Sequence, residues 1–175
     1  HLSLRRQRQM CIRDSFDKLE KANWFLSAMA ELKDRDITDR TVTKLMDDPI
    51  DDGGQWSMFV ALVEKYGVVP QYAMPETASS EATAMLNRNL QTVLRRAAHR
   101  IRSGEEGAHK QALADVYRIL TANLGLPPED FVWQYRDKDD EFHRAGTFTP
   151  QEFAKEYLPA DLSEYVCVVL SLIHI

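Results

Sequence analysis

The arrangement in this chain best placed to do chemistry is Asp52-Gly53-Gly54-Gln55-Trp56: an acid, two residues without a Cβ, an amide and an indole in succession. Adjacent glycines leave their N–H and C=O groups uncovered, so a second backbone can approach closely. An extended peptide could then pair with that backbone as an added strand. The other reading of the doublet is a flexible turn between two helices. Covalent catalysis would need a nucleophile beside an activating base. The cysteines are Cys11 and Cys167, and the histidines beyond His1 are His99, His109, His143 and His174. None of these histidines has the short spacing of zinc ligands. Cys167, between Tyr165-Val166 and Val168-Val169, reads as a buried strand cysteine.

Two acidic groups invite a metal or acid–base reading. Asp137, Asp139 and Glu141 imitate the first ligands of a calcium loop, but Phe142 stands at the sixth position and Phe148 at the twelfth. Those places require glycine and glutamate, so a polar turn is expected. Asp47, Asp48, Asp51 and Asp52 have no histidine near them in sequence and read as an exposed acidic loop. No metal and no cofactor is expected.

Wider blocks around the doublet carry a resemblance. They are Asp52-Gly53-Gly54-Gln55-Trp56-Ser57-Met58-Phe59, Glu64-Lys65-Tyr66-Gly67-Val68-Val69-Pro70 and Met74-Pro75-Glu76-Thr77, with Phe16-Asp17-Lys18-Leu19-Glu20-Lys21-Ala22-Asn23 before them. Asp36-Ile37-Thr38-Asp39-Arg40, Tyr135-Arg136-Asp137-Lys138-Asp139 and Thr149-Pro150-Gln151-Glu152-Phe153 extend the match to about residue 169. In this order they resemble the bleomycin hydrolase/aminopeptidase C branch of the papain-like cysteine peptidases. The resemblance implies an α+β parent fold, of which this chain is a mainly helical part with a small β-hairpin. It also implies a cytoplasmic thiol aminopeptidase acting on peptides, with whole members assembled as hexameric rings.

The same resemblance puts the family's oxyanion glutamine and nucleophilic cysteine upstream of residues 16–23, and its histidine and asparagine downstream of residue 169. No residue of this chain is therefore expected to be catalytic, and the chain is expected to be an internal fragment without turnover. Cys11 lacks the upstream glutamine and following tryptophan of that family. Residues 1–15, opening on His1, and residues 170–175 depart from the family and read as non-native, adapter-like ends, with residues 16–169 between them. By resemblance, Gly53 and Gly54 line the cleft wall and Gly54 exchanges main-chain hydrogen bonds with substrate, while Gln55 and Trp56 shape the adjoining subsite. The competing reading is a non-catalytic helical interaction domain whose long hairpin docks a partner.

Composition excludes several other functions. The 175 residues are 44% hydrophobic and 28% charged, as in an ordinary soluble domain. Net charge is −5; four arginines against Asp14 give +3 over residues 1–14, leaving −8 from residue 15 onward. So acidic a body argues against binding a phosphate backbone. No apolar run reaches the roughly twenty residues of a membrane helix. Two cysteines make no disulfide framework, which agrees with a reducing compartment.

The elements that position the doublet follow from periodicity. Leu19, Ala22, Phe25, Leu26, Met29 and Leu32 predict a helix over 16–33. Thr38 is expected to cap a short helix bearing Val42, Leu45 and Met46 and ended by Pro49. A third helix is predicted over 55–66, with Trp56, Phe59, Val60 and Val63 inward and Gly67 as a left-handed cap. Ser80 is expected to cap the longest helix, through Met85, Leu86, Leu90, Val93, Leu94, Ala97 and Ile101. Its arginines Arg95, Arg96, Arg100 and Arg102 read as a solvated face. A partner helix with Leu113, Val116, Tyr117, Leu120 and Leu124 inward completes a helical hairpin over about 80–125, the insertion that distinguishes the branch it resembles. Phe131, Trp133 and Tyr135 alternate as one aromatic strand face, 141–144 return, and Thr149-Pro150-Gln151-Glu152 opens a last helix with a capping box.

Overall fold

The computed structural model describes residues 11–159 and 161–166. Along the chain run α1 (Cys11–Glu31), α2 (Arg40–Asp47), α3 (Trp56–Tyr66), α4 (Ala78–Glu81), α5 (Ala84–Arg102), α6 (Ala108–Leu124), β1 (Phe131–Arg136), β2 (Phe142–Phe148) and α7 (Pro150–Tyr157). A 3-10 turn, Leu162–Glu164, follows. Among the described residues the chain is thus mainly helical with one two-stranded sheet, as its periodicity predicts. The readings made for residues 1–10, Cys167 and 170–175 lie outside the described residues, as does the Cys11 side chain. Among the described residues no helix is long and apolar enough to cross a membrane. Two units divide the chain: residues up to Asp52 with Pro70–Pro128, and Gly53–Val69 with residues from Glu129 onward.

In the first unit α1, α5 and α6 share one apolar core. Ala22, Phe25, Leu26 and Met29 of α1 are fully buried, at the spacing that places them on one helical face. The predicted Leu19 and Leu32 flank that face, partly buried. The helix is described from Cys11, five residues before the predicted boundary at residue 16. From α5 come Leu86, Leu90, Leu94, Ala97 and Ile101, while Met85 is left exposed. On α6 the buried stripe is Ala108, Ala112, Val116, Leu120 and Leu124, each four residues after the last. The expected Tyr117 is exposed and Leu113 only half-buried. Alanine is too small to stand out in an apolar pattern, yet its small Cβ lets two helices approach closely.

Several caps differ from expectation. At α2 the cap is Asp39, whose Oδ1 accepts from the Thr41 and Val42 amides at 2.8 and 3.3 Å. Thr38 instead donates its hydroxyl to Asp36 at 2.6 Å, and its amide to the same oxygen at 2.8 Å. Closing that Asx turn first delays the helix by a residue. Ser80 does not cap α5; it is the reciprocal partner of Thr77 in the capping box of the short α4. Thr83 precedes α5 without a side-chain capping bond. Thr77 and Ser79 also reach Asn123 near the end of α6, at 2.8 and 3.1 Å.

Two of the supposedly solvated arginines are fasteners. Arg95 donates to the carbonyls of Met46 and Asp47 at 2.8 and 2.6 Å, covering the otherwise unpaired C-terminus of α2. Arg102 donates to Leu32 at 2.7 Å and to the Arg35 carbonyl, just beyond α1. Arg100 pairs with Glu105 across the turn between α5 and α6. Only Arg96 fits the solvated reading.

In the second unit α3 buries Val60, Leu62 and Val63, with Trp56, Phe59 and Tyr66 half-buried. Gly67 ends it at φ 75 and ψ −163, its N–H donating to Val63 at 2.8 Å. That is not the left-handed helical cap expected but a region open essentially to glycine alone. β1 and β2 pair antiparallel from Phe131↔Phe148 to Arg136↔Phe142, with an irregularity at Trp133/Gln134 that skips Ala145. The returning strand is longer than predicted. The aromatic face packs on α7: Phe131 and Trp133 lie 5.2 and 5.0 Å from Phe153, centroid to centroid, and Trp133 lies 5.8 Å from Tyr157. Thr149 and Glu152 form the predicted capping box, with Pro150 opening α7.

Candidate functional site

The acidic loop before the glycine doublet is a tied corner of the first unit. Lys18 and Lys21, three apart on α1, lie on one side of that helix and both reach the corner. The Lys18 ammonium sits 2.6 Å from Asp52 Oδ1 and 3.4 Å from the Asp51 carbonyl. Lys21 binds Asp17 at 2.8 Å, the Asp51 carboxylate at 3.1 Å and the Asp51 carbonyl at 3.2 Å. From the other direction Thr83 Oγ1 and Asn87 Nδ2 donate to Asp52 Oδ2 at 3.0 and 2.8 Å. Partial burial pushes the Asp52 carboxyl up, but the Lys18 hydrogen bond and charge, with Thr83 and Asn87, outweigh it and leave its pKa lowered.

The four aspartates therefore do separate structural jobs. Asp48 accepts from Gln91 at 3.2 Å, and the Asp47 carbonyl takes Arg95. Their spacing in sequence signalled an acidic loop; it did not signal the lysines. Lys18 and Lys21 carry a K-x-x-K spacing within a helical pattern, a signal that gains meaning only once the corner is seen beside α1.

Past Asp52 the chain enters the second unit through the doublet. Gly53 and Gly54 are exposed and belong to neither helix nor strand. A Cβ built on Gly54 meets nothing within 4 Å, and Gly54 is not among the residues with positive φ. Neither packing nor backbone conformation in this chain demands a glycine there. Gln55 is the extended cap residue of α3 (φ −103, ψ 160); its carbonyl accepts from Met58 and Phe59 at 3.1 and 3.2 Å, and its exposed side chain makes no capping bond. Trp56 is fixed on two sides: Nε1 donates to the Leu162 carbonyl at 3.2 Å, and the ring lies 5.1 Å from Phe59. The four residues are thus consecutive: two glycines, with open space beside Gly54, then Gln55 without a side-chain capping bond and Trp56 held by Leu162 and Phe59.

Next to the turn between the strands, on β2, stands a histidine that sequence spacing passed over. His143 Nε2 lies 2.8 Å from Asp137 Oδ2, while Asp137 Oδ1 accepts from the Asp139 and Glu141 amides at 2.9 and 3.0 Å. The His143 hydrogen bond is the main cause that lowers the Asp137 pKa. One ligand atom each from Asp137, Glu141 and His143 falls within 4.8 Å of the others. Asp137 spends Oδ1 on the turn amides and Oδ2 on His143 of β2, so a polar turn closed against the strand accounts for the arrangement.

Comparison with known proteins agrees with these blocks. The model of the peptidase C1-like family matches residues 12–172. Aminopeptidase C of Listeria innocua is 43% identical over 160 residues, covering 88% of this chain and 36% of that protein. Bleomycin hydrolase of Gallus gallus is 38% identical over 167 residues, covering 88% and 37%. The crystal structure of PepW from Lactobacillus rhamnosis superposes with a TM-score of 0.84 at 39% identity, covering 87% of this chain and 36% of PepW. The chain therefore spans somewhat over a third of the length of the relatives it matches and shares the fold of the corresponding part of PepW. With the family model spanning nearly all of its length, the chain belongs to the peptidase C1-like family.

Proposed function

We propose that this chain is the peptide-positioning segment of a cysteine aminopeptidase. In the whole enzyme a thiolate attacks the amide carbonyl, an acyl-enzyme forms and water releases it. Gly53 and Gly54 present main chain to an extended peptide, Gly54 pairing with the residue beside the scissile bond, while Gln55 and Trp56 shape the next subsite. Pairing of this kind holds the substrate in register for attack. The peptidase-derived stretch is residues 16–169, and catalysis belongs to residues outside it. The whole enzyme works in the cytoplasm as a homo-oligomer, a hexamer by family likeness.

The observation that carries this reading is the open backbone at Gly54. Glycine usually answers a need for positive φ or for space, and here the chain has neither need. What remains is room for a partner from outside.

The test is an intact aminopeptidase C whose matching segment is replaced by residues 16–166 of this chain. Gly54→Val should raise KM for an aminoacyl fluorogenic substrate by about tenfold or more, the scale of a lost positioning interaction. Thermal stability should stay within about 0.5 kcal/mol of the parent, as at an unconstrained surface position. Unchanged kinetics remove Gly54 from the site. The 175-residue chain alone should show no turnover; thiol-inhibitor-sensitive hydrolysis by it would contradict the assignment of catalysis elsewhere.

A further inference from the structure

Within the second unit, α3 is fastened at both ends. At its last turn Val68 donates to the Pro150 carbonyl at 3.1 Å, and the Gln151 side-chain amide donates to the Lys65 carbonyl at 3.3 Å. At its first residue the Trp56 indole Nε1 donates to the Leu162 carbonyl at 3.2 Å, across 106 positions of sequence. The first turn of this helix has no local fastening of the usual kind. Gln55 stands at the cap position and makes no side-chain capping bond, where serine, threonine, aspartate or asparagine would supply one. The orientation of that end therefore rests on the Trp56 ring.

The carbonyl that receives the indole is held in place by its own turn. Asp161 Oδ1 accepts from the Ser163 amide at 2.8 Å and from the Ser163 hydroxyl at 2.5 Å, closing an Asx turn. The Tyr165 amide donates to the Leu162 oxygen at 3.2 Å and completes the 3-10 turn. A carbonyl oxygen has two lone pairs. Here one serves the turn and the other serves the indole. The 3-10 turn has no buried residue, and Asp161, Ser163, Glu164 and Tyr165 are all exposed. Burial of apolar surface, the main stabiliser of folds, is thus not what this turn supplies. It supplies an oriented acceptor for one side chain. With Nε1 anchored and Phe59 5.1 Å away, turning the Trp56 ring over would break the bond.

We propose that the turn at Asp161–Ser163 is a positioning device for substrate selectivity: through the Leu162 carbonyl it holds the Trp56 indole at one angle, and that angle sets how large a substrate side chain the adjoining subsite takes. Asp161 is then a positioning residue, acting through Trp56 without touching the substrate. This rests on the reading of Gln55 and Trp56 as walls of that subsite.

The experiment uses the same intact chimaeric aminopeptidase and short peptides varied among alanine, leucine and phenylalanine at each residue flanking the scissile bond. Trp56→Ala identifies the position that the subsite receives, as the one at which the spread of kcat/KM across the series changes. Asp161→Ala should narrow the spread at that position about fivefold, because a mobile wall discriminates size poorly, with kcat for the alanine peptide within about twofold. Asp161→Asn, whose side-chain oxygen still accepts from Ser163, should match the parent. Ser163→Ala, which keeps the backbone half of the Asx turn, should narrow the spread about twofold. Trp56→Phe removes the indole donor and should narrow the spread as Asp161→Ala does; the double variant should narrow it no further, since both changes cut one bond. A lowered thermal midpoint with an unchanged spread in Asp161→Ala would make the turn merely structural and overturn the proposal, as would full additivity with Trp56→Phe. If Asp161→Ala yields no folded enzyme, an unchanged spread in Ser163→Ala overturns it as well. Trp56→Ala separates the two readings: a changed spread there with none in Asp161→Ala sinks the turn alone, whereas an unchanged spread at both positions removes the subsite on which it rests.

Discussion

Gly67 lies directly against Pro150: a Cβ built on Gly67 would stand 2.2 Å from the Pro150 carbonyl carbon and oxygen and 2.4 Å from the Gln151 nitrogen. The contact is backbone on backbone, so no side chain can swing away. Val68 donates to that same Pro150 carbonyl at 3.1 Å. The end of α3 and the start of α7 are thereby joined through the space a methyl group would fill.

Gly67→Ala should consequently be among the most damaging single changes in the chain. The clash adds to a backbone conformation that L-residues avoid, and together they should cost at least about 2 kcal/mol. Chemical denaturation of the folded protein measures it, and a loss below about 0.5 kcal/mol would contradict the geometry.

Arg95 should matter more than its neighbour Arg96. Its guanidinium covers two carbonyls at the end of α2, and hydrogen bonds from a charged donor are worth roughly 1.5–3 kcal/mol in partly buried settings. Arg95→Met should lose about 1–2 kcal/mol, and Arg96→Met, at an exposed position, within about 0.5 kcal/mol. Equal losses in a denaturant titration would return Arg95 to the solvated face.

Asp52 gives a pH signature. Its folded pKa is lowered, so its contribution is fully present above the ordinary carboxylate range and disappears as pH falls through the folded value. The stability gap between the native chain and Asp52→Asn should be open at pH 7 and close below about pH 4. Because the carboxylate is half-exposed, screening holds that gap to about 1 kcal/mol or less. A gap independent of pH would mean that shape rather than charge holds the corner.

The legible part of the fold was what neighbouring residues decide among themselves. Ala22, Phe25, Leu26 and Met29 announce a helix by spacing, and Thr149 with Glu152 announces a cap, because each pattern closes within a turn or two. The doublet at Gly53 and Gly54, with the blocks around it, was likewise readable as belonging to the peptidase family. Ser80 misled because two capping residues lie close together, and only the fold decided that Thr77 would start a short helix first.

What the amino-acid order settled alone, then, was which stretches coil, which faces are oily, and to which family the chain belongs. The folded molecule decided who meets whom: Lys18 with Asp52 across 34 positions, Arg95 with Met46 across 49, Ala112 in the helix seam in place of Tyr117. The physical reason is range. Periodicity and caps are satisfied within a few residues of backbone, whereas a buried charge finds its partner only after separate helices have packed and removed the water that would otherwise have served it.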